Sequence, residues 1–188
     1  MIITISGVPG SGKTSVAHIL ANQLDMKFYS IGALRGKMAM DRGMTIAELN
    51  ALGEKDPMTD TSVDDYQKEL GQKEDQFVVE GRLSWYFIPH SFKILLLCDP
   101  KEAARRVFEA QRSSHLQQDE PVYRTIDEAQ TQLAARVASD HTRYRKHYNI
   151  ENYLDPHHYD LLIDTTKNTG ATTTAQQILE EIKNRQLL

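Results

Sequence analysis

MIITISGVPGSGKTSVAHILAN, residues Met1 to Asn22, is the stretch from which the architecture follows. Ile2, Ile3 and Ile5, with Val8 just past the bend, form an apolar run. Beyond the bend, Val16, Ile19, Leu20 and Leu24 recur at helical spacing, so the segment reads as strand, loop, helix. The loop Gly7-Val8-Pro9-Gly10-Ser11-Gly12-Lys13-Thr14 fills the GxxxxGK[ST] pattern at every fixed position. Such a loop wraps backbone N–H groups around a polyphosphate, and Gly7, Gly10 and Gly12 let the main chain approach the anion because no Cβ intervenes. Lys13 is expected to reach the β- and γ-phosphates and Thr14 to hold Mg²⁺, with the helix N-terminus adding partial positive charge. Gly7, Pro9, Gly10, Ser11, Gly12, Lys13, Thr14 and Ser15 are therefore the candidate donor-binding residues.

The rest of the chain is consistent with one domain. Its 188 residues, 40% hydrophobic and 26% charged, suffice for a sizeable core without a partner chain, so a monomer is expected. A formal net charge of −4 speaks against a general nucleic-acid binder, and an anionic ligand must be held by local cations. The single cysteine, Cys98, ends the apolar run from Ile94 and reads as a buried small hydrophobe; it excludes a disulfide within the chain. Neither a leader nor an apolar run near 18 residues is visible, and the expectation is a cytoplasmic protein that does not engage a membrane.

Five apolar or β-rich runs recur, at Ile2 to Ile5, Lys27 to Ser30, Gln76 to Glu80, Lys93 to Cys98 and Tyr159 to Asp164. They are continuous rather than alternating, as in parallel strands covered by helices on both faces. Capping-box patterns at Thr45 to Glu48 and Thr125 to Glu128, and Asp99-Pro100, mark helix starts between them. The fold class is thus α/β, three layers around a five-stranded parallel sheet. Two connections exceed what a plain βα unit needs: residues 32–73, expected as an acceptor-binding insertion, and 105–156, expected as a helical lid. The core is then 1–31, 74–104 and 157–188. Ligands of open α/β sheets bind at the carboxyl ends of the strands, within reach of both insertions.

Arg82, just past the third strand, places a cation at that edge. Arg136, Asp140 and Arg143 stand at i, i+4 and i+7, on one helical face. Such a trio is either a phosphate-binding set, with Asp140 orienting the arginines or accepting from a ribose hydroxyl, or a solvated ion-pair face; spacing leaves the two equal. Arg105, Arg106 and Arg112 rank lower, with Arg112 the best placed of them, at the edge of an interruption from Ser113 to Pro121. Tyr144, Tyr148, Tyr153 and Tyr159 read as a half-buried aromatic rim, Trp85 as core, and His157-His158 as surface or loop packing.

These features together resemble the short cytidylate kinases of archaeal type. The likeness rests on the phosphate loop, Ser30 to Met38, Arg42 to Thr45, Asp56-Pro57, Val63 to Gln67, Val78 to Arg82, Arg136-x-x-x-Asp140-x-x-Arg143-Tyr144 and Tyr159 to Thr165. The resemblance implies a P-loop nucleoside monophosphate kinase that uses ATP and Mg²⁺ to phosphorylate CMP or dCMP. It assigns Lys13, Arg82, Arg136 and Arg143 to the acceptor or transferring phosphates. Ser30, Gly32, Arg35, Asp64, Gln67, Arg82, Asp140 and Arg143 become acceptor-binding residues, with Asp140 on the sugar. The sequence departs from the family pattern at Ala33, Gly36 and Ala138, where Arg35 or Lys37 is expected to replace an acceptor-phosphate arginine. Those departures keep open another acceptor, or a nucleotide-binding module without transfer.

The chemistry fits this implication. A phosphate monoester has a second pKa near 6, so its attacking oxygen is already anionic at neutral pH and needs cations rather than a base. A hydroxyl acceptor would favour an Asp or similar base near the attacking oxygen, and the several arginines, with no evident isolated strand-end Asp beyond Asp99 and Asp164, tilt the reading toward a phosphate acceptor. Asp164-Thr165 is instead expected to shape a nucleotide-base loop with Lys167 and Asn168.

Overall fold

The computed structural model describes residues 1–55, 58–112, 122–168 and 170–187. Five strands, β1 (Ile2–Gly7), β2 (Lys27–Ser30), β3 (Phe77–Glu80), β4 (Phe92–Leu97) and β5 (Leu161–Asp164), form one sheet in the order β2-β3-β1-β4-β5. All four pairings are parallel. Among the described residues eight α-helices connect or cover them: α1 (Lys13–Gln23), α2 (Ile31–Asp41), α3 (Ile46–Gly53), α4 (Met58–Lys73), α5 (Ser84–Phe87), α6 (Pro100–Arg112), α7 (Ile126–Tyr148) and α8 (Ala171–Asn184). Asp56-Pro57 and the interruption at 113–121 lie outside the described residues.

Alternation along the strands sorts the core. Ile3, Ile5, Val78, Ile94 and Leu96 face α1 and α8 through Leu20, Ile178 and Ile182. Ile2, Phe77 and Val79 face α2 and α4 through Ile31, Val63 and Leu70. Coverage of both faces holds for β1 and β3 and for the middle of β4, but the edge strands differ: Lys27 of β2 and Leu162 of β5 are exposed. An edge strand has a neighbour on one side only, and because Leu161 and Ile163 pack toward the α1 and α8 core, Leu162 points to the opposite face.

Helix starts follow local chemistry. Thr45 closes a full capping box with Glu48, and Asp99 Oδ1 accepts from the amides of Lys101 and Glu102. Thr125 caps α7 through the Glu128 amide, but Glu128 reaches back to the Arg124 N–H instead of the Thr125 N–H. Three of the four tyrosines depart from the expected half-buried rim. Tyr144, Tyr153 and Tyr159 are buried with Leu83, Trp85 and Leu95, and only Tyr148 is half-buried. They pack in one cluster that joins α7, through Tyr144, to Leu95 of β4. Trp85 is core, stacked on His158 with centroids 4.2 Å apart. Cys98 is half-buried rather than buried, and burial pushes its thiol pKa up, away from nucleophilic use. No helix of the described residues is long and apolar enough to cross a membrane.

Candidate functional site

Register brings the chemistry together. Ser30 pairs with Glu80, Ile5 with Glu80, and Gly7 with Leu96, so the ends of β2 and β3 flank the phosphate loop along one edge of the sheet. The loop turns through positive φ at Gly7, Gly10 and Gly12. At Gly10 (φ 79°) a Cβ would lie 2.5 Å from the Ala103 carbonyl oxygen, so a side chain is excluded by both conformation and space. Lys13 opens α1, and its ammonium donates to the Val8 carbonyl at 2.8 Å, closing the loop on itself. Burial, with Arg82 and Arg136 nearby, lowers the Lys13 pKa to about 8, although Glu80 and Asp140 oppose the shift.

Three clefts border the phosphate loop and the start of α1, and two of them meet at Lys13. On the outer side of the loop a cleft of about 510 Å³ is lined by Gly10, Ser11, Gly12, Ser15, Arg106 and Thr165, among others. Arg106 donates to the Thr165 carbonyl at 2.6 Å and to its hydroxyl at 3.2 Å, so it fastens the loop after β5 to α6. Asn168 lines this cleft; Lys167 is exposed and does not. Arg112, ranked first of the three α6 arginines by sequence, is exposed and lies 6.0 Å over the Phe108 ring, while Arg106 faces the cleft. Its place at the helix end put it a turn too far from the loop.

A second opening of about 240 Å³ holds Pro9, Lys13, Thr14, Glu80, Arg82 and Arg136. Thr14 and Glu80 offer hydroxyl and carboxylate oxygens there, hard donors of the kind a Mg²⁺ site uses. Ser30 donates to Glu80 and accepts from the Ala33 amide at 3.1 Å, so the residue that caps α2 also fixes this carboxylate. Gly32 stands beside Glu80.

The third cavity, about 70 Å³, runs from Lys13 to Asp64 and Tyr148 and is lined by Gly32, Arg35, Gln67, Arg82 and Arg143. Its walls are a chain of alternating charges. Arg82 Nε lies 2.5 Å from Asp140 Oδ2, Arg143 Nη2 donates to Asp140 Oδ1 at 2.5 Å, and Arg143 Nη1 donates to both oxygens of Asp60 at 3.0 Å. Arg35 donates to Asp60 and, through Nε, to Asn50 Oδ1 at 2.9 Å. The trio on α7 is therefore not a solvated face: Asp140 is fully buried and Arg143 is 2% exposed. Burial works against the charge of Arg82 and Arg143, yet the neighbouring Tyr144 phenol and Asp140 carboxylate, with Asp60 beside Arg143, outweigh it and hold both pKa values above the usual guanidinium range. Both carboxylate oxygens of Asp140 thus lie 2.5 Å from an arginine nitrogen. Arg136 lines the opening at Lys13 and Thr14.

Asp64 accepts from the Tyr148 hydroxyl at 2.6 Å, and burial raises its pKa to about 6. Gln67 lines the cavity but is tied within the protein, accepting from the Ser84 hydroxyl at 2.8 Å. Of the two substitutes for the missing arginine, Arg35 enters the cavity and Lys37 is exposed. Sequence reasoning did not single out Asp60, Asn50 or Glu80. Asp60, Asp64 and Gln67 fall at i, i+4 and i+7 of α4, the same spacing as the trio on α7, and that signal would have found Asp60.

The sequence matches the model of the cytidylate kinase-like family over residues 2–167. It is similar to the cytidylate kinase of Methanocella arvoryzae, 37% identical over 185 residues covering 97% of this chain and 99% of that protein. To the cytidylate kinase of Archaeoglobus fulgidus it is 36% identical over 168 residues, 88% of this chain and 86% of that one. Shikimate kinase from Bacteroides thetaiotaomicron shares the fold, with a TM-score of 0.63 and 14% identity over 97% of this chain and 98% of that structure.

Proposed function

The chain belongs to the cytidylate kinase-like family, and from that premise we propose that it transfers the γ-phosphoryl group of ATP to CMP or dCMP. The observation that carries the proposal is the convergence on one sheet edge of Lys13, Arg82 and Arg136 around a common opening, with Arg35 and Arg143 lining the cavity beyond it. In this reading the outer cleft takes the adenosine, with Gly7, Pro9, Gly10, Ser11, Gly12, Thr14 and Ser15 around the triphosphate. The inner cavity takes the acceptor, residues 32–73 form its binding insertion, and 105–156 form the lid. Thr14, with Glu80 beside it, would hold Mg²⁺, whose chemistry when bound is to neutralise charge on the β- and γ-phosphates.

Two polyanions repel, and the site's work is to hold them in line. An acceptor phosphate oxygen forms the new P–O bond as the bond from the γ-phosphorus to its bridging oxygen breaks, and ADP leaves with that electron pair. No proton has to move, because the attacking oxygen is already ionised. Lys13, Arg82 and Arg136 spread the charge of the transferring group, and Arg35, Arg82 and Arg143 orient the acceptor. Ser30 and Gly32 border that acceptor space, Asp140 aims two of its arginines, and Asp64 with Gln67 closes the far end, where the base would lie.

ADP release measured by a coupled assay over a panel of nucleoside monophosphates and hydroxyl acceptors tests this. CMP or dCMP is expected to stimulate release far above the acceptor-free rate. Stimulation by neither at millimolar concentration overturns the assignment, and ATP binding by calorimetry without any transfer would favour a binding module.

A further inference from the structure

Asp60 is a carboxylate for which the proposed chemistry has no direct use, yet it sits where two elements of the site meet. It lies on α4 and is 4% exposed. One of its neighbours is Arg35 of α2, within the acceptor insertion, and the other is Arg143 of α7, at 3.0 Å from each carboxylate oxygen. The two guanidinium groups oppose each other: burial first, and then the presence of Arg143, push the Arg35 pKa down, while Asp60 acts in the other direction. The backbone is built to permit this closeness. At Gly53, the last residue of α3, a Cβ would lie 2.8 Å from Thr59 Oγ1 and 3.3 Å from Arg143 Cδ. Asn50, one turn earlier on α3, holds Arg35 from its other side at 2.9 Å.

We propose that Asp60 is a positioning residue that joins Arg35 and Arg143 into a single two-guanidinium clamp for the acceptor's phosphate. Through it the acceptor insertion and the lid helix grip the same anion. The proposal rests on the kinase reading for the identity of that anion. Two adjacent buried cations with no carboxylate between them would splay, and each binding event would have to bring them back together against their repulsion. With Asp60 in place the pair is set before the anion arrives, and less binding energy goes into reorganisation. The chain Arg35, Asp60, Arg143, Asp140, Arg82 holds three guanidinium groups on two carboxylates. It thus keeps one positive charge in excess, suited to an incoming dianion. A network serving stability alone has no need of that excess or of a site lining the cavity.

The test compares wild type with Asp60→Asn, Arg35→Met and the double variant. Acceptor KM and kcat, ATP KM, and the affinity for inorganic phosphate, read by its competition with the acceptor and by thermal protection, are measured for each. Asp60→Asn is expected to raise acceptor KM and weaken phosphate binding about tenfold or more, with ATP KM within about twofold. In the Arg35→Met background the same substitution should add less than about threefold, because its partner is already gone. Full multiplication of the two effects, or a lowered melting temperature with unchanged acceptor KM and phosphate affinity, overturns the proposal. If Asp60→Asn does not fold, Asp60→Glu, which keeps the charge but displaces it by a methylene, supplies the comparison with the same expected direction and the same refuting result. A protein that does not phosphorylate CMP but loses phosphate affinity with Asp60 would refute the kinase reading and leave the clamp standing.

Discussion

Lys13 should take up a proton when ATP binds. In the empty site its pKa is lowered to about 8, first by burial and then by the guanidinium groups of Arg82 and Arg136. A bound triphosphate reverses the balance, because an adjacent polyanion favours the ammonium form well beyond pH 9. With a free-state value of about 8, the neutral fraction of Lys13 is about 0.1 at pH 7, about 0.5 at pH 8 and about 0.9 at pH 9, and each fraction equals the protons taken up per ATP bound. The apparent dissociation constant then weakens about tenfold between pH 7 and pH 9, a loss of about 1.4 kcal/mol. Isothermal titration of Mg-ATP without acceptor, in buffers of different ionisation enthalpy at each pH, reads the uptake directly. The nucleotide's own phosphates are fully ionised over this range and contribute none. Lys13→Arg, protonated throughout, should bind without uptake. An uptake below about 0.1 at pH 8 and pH 9, with a flat affinity, would refute the electrostatic description of the loop.

Asp140→Ala leaves Arg82 and Arg143 without the carboxylate they share at 2.5 Å on each side; the expected cost is about 3–5 kcal/mol, read as a fall in urea midpoint at constant m. A loss under about 1 kcal/mol would mean the arginines find other partners. Gly10→Ala combines a positive φ of 79° with a Cβ placed 2.5 Å from a backbone carbonyl; the conformation alone costs about 1–2 kcal/mol, so ATP KM should rise severalfold and the melting temperature should fall. Asp64 carries a pKa raised to about 6 by burial. The folded protein therefore keeps a proton that the unfolded chain releases at about pH 4, and stability contributed below that pH is lost as pH rises through 6. In Asp64→Asn this part of the decline should vanish, so the melting temperature of the variant relative to wild type should increase between pH 4 and pH 7; parallel curves would contradict it.

How much of this was legible from the sequence depended on whether the determinant was local. The phosphate loop, the caps at Thr45 and Asp99 and the continuous apolar strands each carry their signal within a few residues, and the α/β class followed from them. The arginines of the site were readable as candidates from position alone, Arg82 from its strand end and Arg136 and Arg143 from helical phase. What spacing could not decide was which way the α7 face points, because an ion-pair face and a binding face have the same periodicity. The deciding partners come from far earlier in the chain, Asp60 from 83 residues before Arg143 and Arg82 from 58 residues before Asp140. Asp60 escaped notice because an acid in a run that also holds Glu54, Asp64 and Asp65 looks like solvated surface until α4 folds against α7. The tyrosines misled for a related reason: a phenol suits a wet rim, and nothing local shows that three of the four pack with Leu83, Trp85 and Leu95, which are distant in sequence.

Helix α7 also explains how one rigid element can serve both sides of the site. Seven residues separate Arg136 from Arg143, about 10 Å along the axis at about 1.5 Å per residue. The first guanidinium borders the opening that holds Lys13 and Thr14, and the second lies in the cavity with Arg35. Asp140, between them on the same face, pins the helix to Arg82 at the end of β3. The C-terminal half is tied to the end of α3 as well: Ser139 donates to Glu54 at 2.5 Å, Lys146 to the Glu54 carbonyl at 2.6 Å, and the His147 ring meets the Gly53 carbonyl at 2.9 Å. Because these ties fix α7 against both the sheet edge and α3, the spacing between its two arginines is set by the helix backbone rather than by side-chain flexibility. A site that must align two repelling phosphates gains from such a ruler, since the geometry is held before either anion enters and the helix need not reorganise as charge develops between them.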